Sequence, residues 1–227
     1  MKKFTALLLA LLLVFSLCAC GASDEDVSGT LEPTETEAVS TPEPTEEVTE
    51  ELEIGSVDNL TYKNESLGIG IDFDENWYLA SEEELAEALG ITADMFTEDY
   101  AEIVRNADIF YDMMAVLDEN TNVNITFEKI NSVYAKALSV DDYIELSLEN
   151  LEPQYAAAGI TLNECETVSI DFAGAEHSAV RMSCSVNGES LCQLLVVFKV
   201  ANYFATLTIT APTQAAADEV AAMFYAL

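Results

Sequence analysis

The chain has 227 residues, half of them apolar and 9% aromatic, with a formal charge of −34 from 42 acidic and eight basic side chains. That length allows one sizeable domain with a remainder, and the apolar fraction suffices for a packed core. So negative a chain repels nucleic acid and anionic lipid headgroups, which excludes nucleic-acid binding and leaves basic partners, cations and neutral ligands.

The amino terminus has three parts. Met1-Lys2-Lys3 is positive, Phe4 to Leu17 is apolar apart from Thr5 and Ser16, and Cys18-Ala19-Cys20-Gly21 follows. The apolar run is shorter than the roughly 20 residues that cross a bilayer, and its flanks fit an export signal. Leu17 at −3, Ala19 at −1 and Cys20 at +1 resemble the lipobox of bacterial lipoproteins. The resemblance implies that residues 1–19 are a signal peptide cut between Ala19 and Cys20. It also implies that Cys20 carries a diacylglyceryl group, whose two acyl chains suffice for stable anchoring. The protein is then expected at the cell membrane, lipid-anchored and facing the extracytoplasmic side.

Residues 20–58 read as a stalk. "TLEPTETEAVSTPEPTEEVTEELE" is rich in Thr, Glu and Pro, and thirteen acids but no Lys or Arg lie between Asp24 and Asp58. Such a composition buries too little surface to offset chain entropy and is expected to be disordered. Proline and like-charge repulsion extend it, to at most about 120 Å at roughly 3.3 Å per residue. Residues 59–227 form the domain, with 29 acidic against six basic side chains, a formal charge of −23.

Within the domain, Leu60 to Lys63 and "SLGIGIDF" (Ser66 to Phe73) read as strands, the second alternating Leu67, Ile69, Ile71 and Phe73. Ser81 with Glu84 is a capping box that opens a helix closed by Gly90, and a second helix is expected from Thr92 to about Asn106. Strands follow at Asp108 to Leu117 and Val123 to Ile130. Ser139 with Asp142 is another capping box, opening a long helix that Pro153 kinks or divides before Gly159. Strands are expected at about 161–171, 175–186, 190–200 and 203–210, and a last helix over "QAAADEVAAMFYAL". Adjacent strands with separate helices argue for an α+β domain, an antiparallel sheet covered by helices.

"YKNESLGIGIDFDENWYLAS", the "IDFAG" turn and "YFATLTITAPTQAAADEVAAMF" resemble PsbP/Mog-type domains over most of residues 59–227. The resemblance implies an α/β/α sandwich with a central antiparallel sheet. It implies no shared activity, because these motifs are packing and turn signals and function resides in sites.

Candidate chemistry is sparse. His177, the only histidine, follows Glu176, but on a strand the two point to opposite faces, and no nucleophile motif surrounds it. Asp118, Asn120 and Asn122 match the first positions of a calcium loop, yet Val123 stands where Gly is needed and Lys129 where Glu is needed. Asp72 and Asp74 share a strand face and are a second weak place for a hard cation. Gly68-Ile69-Gly70 lies inside a strand and is no nucleotide fingerprint. A two-residue turn at Asn187-Gly188 sends Cys184 and Cys192 to opposite faces. A three-residue loop places them opposite each other, where a disulfide is feasible outside the cell, leaving Cys165 over, but cross-strand geometry is restrictive and buried reduced cysteines are the expected state.

The expected function is that of a membrane-anchored, non-enzymatic module binding a protein or small ligand, with no cofactor. The alternatives are a divalent-cation-binding accessory protein using Asp72, Asp74 or Asp118, and a hydrolase with a carboxylate site.

Overall fold

The computed structural model describes residues 52–90, 100–105, 107–186 and 188–227. Ala19, Cys20, the stalk up to Glu51, the first part of the helix expected from Thr92, and Asn187 lie outside the described residues. In chain order the elements are β1 (Ser56–Asp58), β2 (Thr61–Asn64), β3 (Ile69–Asp72), β4 (Tyr78–Leu79), α1 (Glu82–Ala88) and α2 (Tyr100–Arg105). Then come β5 (Ile109–Val116), β6 (Asn122–Lys129), α3 (Ser132–Ala137), α4 (Val140–Glu149) and α5 (Leu151–Ala157). The chain finishes with β7 (Ile160–Phe172), β8 (Ala175–Val186), β9 (Glu189–Val200), β10 (Tyr203–Ala211), α6 (Gln214–Ala221) and β11 (Phe224–Ala226).

Seven strands form the central sheet in the order β4-β5-β6-β10-β9-β8-β7, and every pairing is antiparallel. On one face α4 and α5 lay Tyr143, Ile144, Leu151 and Tyr155 against Val180, Met182, Leu195, Val197 and Phe204. The other face is covered by a second antiparallel sheet, β1-β2-β3-β11, together with α1, α2 and α6. Tyr62, Ile71, Leu85, Val220 and Phe224 there meet Phe110, Ile125, Phe127, Leu207 and Ile209. The fold is thus mixed α/β on antiparallel sheets. Strands dominate it, and one outer layer contains a small sheet as well as short helices.

Local sequence accounts for most of these elements. Ser81 and Glu84 close a capping box on α1, and Ser139 and Asp142 close one on α4. The β7–β8 hairpin turns on Ala173-Gly174, with φ of 50° and 82°, the pair of left-handed residues that matches strand twist. The long helix expected after Ser139 is two helices. It breaks at Asn150, and Pro153 then falls in the first turn of α5, where its missing N–H costs nothing.

Two expectations are corrected, and one alternative, the Cys184–Cys192 disulfide, is set aside. Residues 52–58 belong to the domain and not to the stalk: Leu52 and Ile54 pack on the core and β1 pairs with β2. Composition assigned them to the stalk, but their alternate apolar side chains have a surface to cover. The last helix stops at Ala221, and Phe224–Ala226 pair with Ile71–Ile69 of β3, because the exposed edge of β3 offers hydrogen bonds that outweigh local helix preference. Cys184 lies opposite Leu191 and Cys192 opposite Ser183, which is the register of the two-residue turn, so the Cys184–Cys192 disulfide does not form. The reason is that β9 is buried on both faces. Leu191, Leu195 and Val197 are as apolar as Leu194, Val196 and Phe198, so alternation gave no guide to register.

Candidate functional site

The residues singled out from sequence do not converge. Asp72 accepts a hydrogen bond from Thr61 Oγ1 at 2.6 Å on the outer face of the small sheet. Asp74 accepts from the Asn76 N–H at 2.8 Å, and Asp118 from the Asn120 N–H at 2.8 Å, each bracing its own turn. Among the described residues no three His, Cys, Asp or Glu side chains gather as a metal site. His177 packs between Phe172 and Phe198, with ring centroids 6.0 and 4.8 Å away. Burial pushes its pKa below the ordinary value, opposed by the charge of Asp171. The three thiols among the described residues are free: Cys165 exposed, Cys184 buried and Cys192 between. Burial raises the pKa of Cys165 and Cys184, so neither is an activated nucleophile.

Two buried carboxylates were not singled out from the sequence. Asp112 is the inserted residue of a bulge in β5, where the register with β6 shifts between Tyr111 and Met113. Its carboxylate accepts from Tyr62 Oη at 2.5 Å, Asn64 Nδ2 at 2.8 Å and the Gly55 N–H at 2.7 Å. A Cβ on Gly55 would stand 2.3 Å from the Tyr62 ring, so only glycine lets the backbone reach this acceptor. Burial raises the Asp112 pKa more than the three donors lower it. Glu128 lies on the opposite face of the large sheet, where Tyr143 Oη of α4 donates to it at 2.7 Å. The sequence signal was present: Asp112 interrupts the apolar run "IFYDMMAV" and Glu128 ends "NITFE".

Glu128 belongs to a polar band. Asn122, Asn124 and Thr126 of β6 stand opposite Thr210, Thr208 and Thr206 of β10. Tyr155 Oη donates to Gln193 Oε1 at 2.6 Å, and Gln193 Nε2 donates to Thr210 Oγ1 at 3.1 Å. These bonds tie α5 to the sheet with a direction that an all-apolar contact would lack.

A concave feature of the described residues lies elsewhere. A groove of about 840 Å³ runs between the β7 end of the large sheet, α6 and β11, a volume within the usual range for ligand sites. Ile170, Leu194, Ala221 and Phe224 supply apolar walls, and Arg181 and Asp218 lie within it. The Arg181 guanidinium donates to Asp218 Oδ1 at 2.9 Å, and Gln214 Nε2 adds a bond to the same oxygen at 3.2 Å. Both β7 and β11 are edge strands. Sequence reasoning missed this groove because its parts are distant in the chain and the terminal strand was read as helix.

No protein-family model and no curated protein sequence matches the chain. Solved structures similar to it include the cyanobacterial PsbP protein CyanoP of Synechocystis sp. PCC 6803. That structure is 12% identical, covers 76% of this chain and 98% of its own, and gives a TM-score of 0.44. A Bacteroides thetaiotaomicron VPI-5482 protein is 12% identical over 71% of this chain and 46% of its own, with a TM-score of 0.37. PA94 of Pseudomonas aeruginosa, a protein of unknown function, is 19% identical over 49% of this chain and 71% of its own, with a TM-score of 0.28.

Proposed function

We propose that this protein is an extracytoplasmic lipoprotein, anchored by diacylated Cys20, whose domain binds a partner or ligand without catalysing a reaction on it. The observation that carries the anchor is Leu17-Cys18-Ala19-Cys20 at the end of a 14-residue apolar run, followed at once by a long acidic segment. The motifs of the sequence, "SLGIGIDFDENW" and "YFATLTITAPTQ" above all, place the domain in the PsbP/Mog-type group under the same proposal. The groove between β7, α6 and β11 is its binding site.

The chemistry of the buried acids supports a binding role over a hydrolytic one. Asp112 and Glu128 lie on opposite faces of the sheet, Asp112 held by side chains of the small sheet and Glu128 by one of α4, so they do not flank a shared substrate position. The test is fractionation of the producing cells. The wild-type protein is expected in the membrane fraction and Cys20→Ala in the soluble extracytoplasmic fraction. Retention of Cys20→Ala in the membrane would defeat the anchor.

A further inference from the structure

We infer that the groove takes an extended, lysine- or arginine-bearing peptide segment of another protein, which pairs with β11 as an added strand. This rests on the reading of the domain as a binding module.

The backbone supplies the first part of the case. Leu227 N–H donates to the Gly68 carbonyl at 3.0 Å, which fixes the phase of the β11–β3 ladder. Antiparallel pairs alternate between bonded and non-bonded, so Tyr225 exchanges both its bonds with Gly70. The N–H and C=O of Phe224 and Ala226 therefore point away from β3, and both residues line the groove. Across the groove the same alternation, counted from the Phe172–Ala175 pair beside the two-residue turn, turns the backbone of Ser169 and Asp171 outward from β8. Two rims of unpaired strand edge border one groove, an arrangement suited to β-strand addition.

The two edges are not equivalent. β7 is guarded: its ladder is bulged between Leu162 and Glu164, and Glu164, Glu166 and Asp171 line it. Bulges and charges are the usual protections of an edge. β11 reads Phe-Tyr-Ala, with neither charge nor proline, so it is the edge left open for pairing.

Charge selects the occupant. Arg181 has Glu166 opposite it in the β7–β8 register and Asp218 bonded to it from α6, two carboxylates against one guanidinium. The domain, residues 52–227, carries −25, so a second copy is repelled, and the chain's own stalk holds eleven further acids and three prolines. β1, the first strand after the stalk, is the edge of the small sheet opposite to β11. A cationic segment of a different protein is the occupant that satisfies both edge and charge.

The test uses the full chain in detergent micelles with two fluorescent ten-residue peptides, one alternating lysine and valine and one alternating glutamate and valine. The lysine peptide is expected to bind at least tenfold tighter and to slow hydrogen exchange at the Phe224 and Ala226 amides. Ala226→Pro removes the outward N–H and no hydrogen bond of the β3 ladder, and is expected to weaken that binding tenfold or more with an unchanged melting temperature. Equal affinity for the two peptides, or tight binding with no change at those amides, overturns the inference. Maltohexaose, run alongside, separates the two levels. Protection by the sugar and not by the lysine peptide overturns the peptide inference and keeps the binding module. Protection by neither removes the groove as a binding site.

Discussion

Asp112 shows how a single carboxylate sets both the geometry and the pH response of the point where the stalk meets the domain. Three donors from Gly55, Tyr62 and Asn64 converge on it, and burial still leaves its pKa above the ordinary value. The folded chain therefore holds the Asp112 proton more tightly than the unfolded chain. The stability linked to that proton is full below the ordinary carboxylate range and is lost as pH rises through the raised value. His177 has the opposite sign. Its pKa is lowered by burial, so its contribution is full above about 6.5 and is lost as pH falls through the depressed value. Asp112→Ala is expected to cost about 2–4 kcal/mol, since it strands three donors in a buried place. It should also flatten the acid side of the stability profile, which urea melts from pH 4 to pH 8 measure. An unchanged profile would show that Asp112 does not titrate in this range.

At the scale of elements, α5 is held by the chain Tyr155–Gln193–Thr210 as well as by apolar contact. Tyr155→Phe is expected to lower stability by about 1–2 kcal/mol, because the Gln193 amide then lacks its donor, and to speed amide exchange in α5 before that in β8. Exchange rising evenly in both would contradict a directional tie. Elements with local causes were legible in the sequence. Capping boxes announced α1 and α4, and alternation announced β3 and β6. Elements whose causes are tertiary were not. β11 exists because β3 offers it an edge, β1 because the core offers a surface to Leu52 and Ile54, and the register of β9 is set by a turn. Neither the groove nor the convergence on Asp112 could be read locally, since each joins residues tens of positions apart.

The molecule as a whole is governed by its charge. The domain, residues 52–227, holds −25 with few cations, and the Arg181–Asp218 pair is half exposed, worth about 0–1 kcal/mol. Self-repulsion opposes compaction, so added sodium chloride is expected to raise the melting temperature steadily up to about 0.5 M, where screening is nearly complete. A melting temperature flat in salt would show that these charges are too far apart to matter. Among the described residues no helix is long and apolar enough to cross a membrane. The proposed lipoprotein is held at the membrane by Cys20, with the acidic stalk between anchor and domain. Mass spectrometry of the amino-terminal peptide from the membrane-extracted protein tests this most directly. The account predicts a peptide beginning at Cys20 with the mass of a diacylglyceryl group on its thiol; a peptide retaining Cys18, or one beginning at an unmodified Cys20, would contradict it.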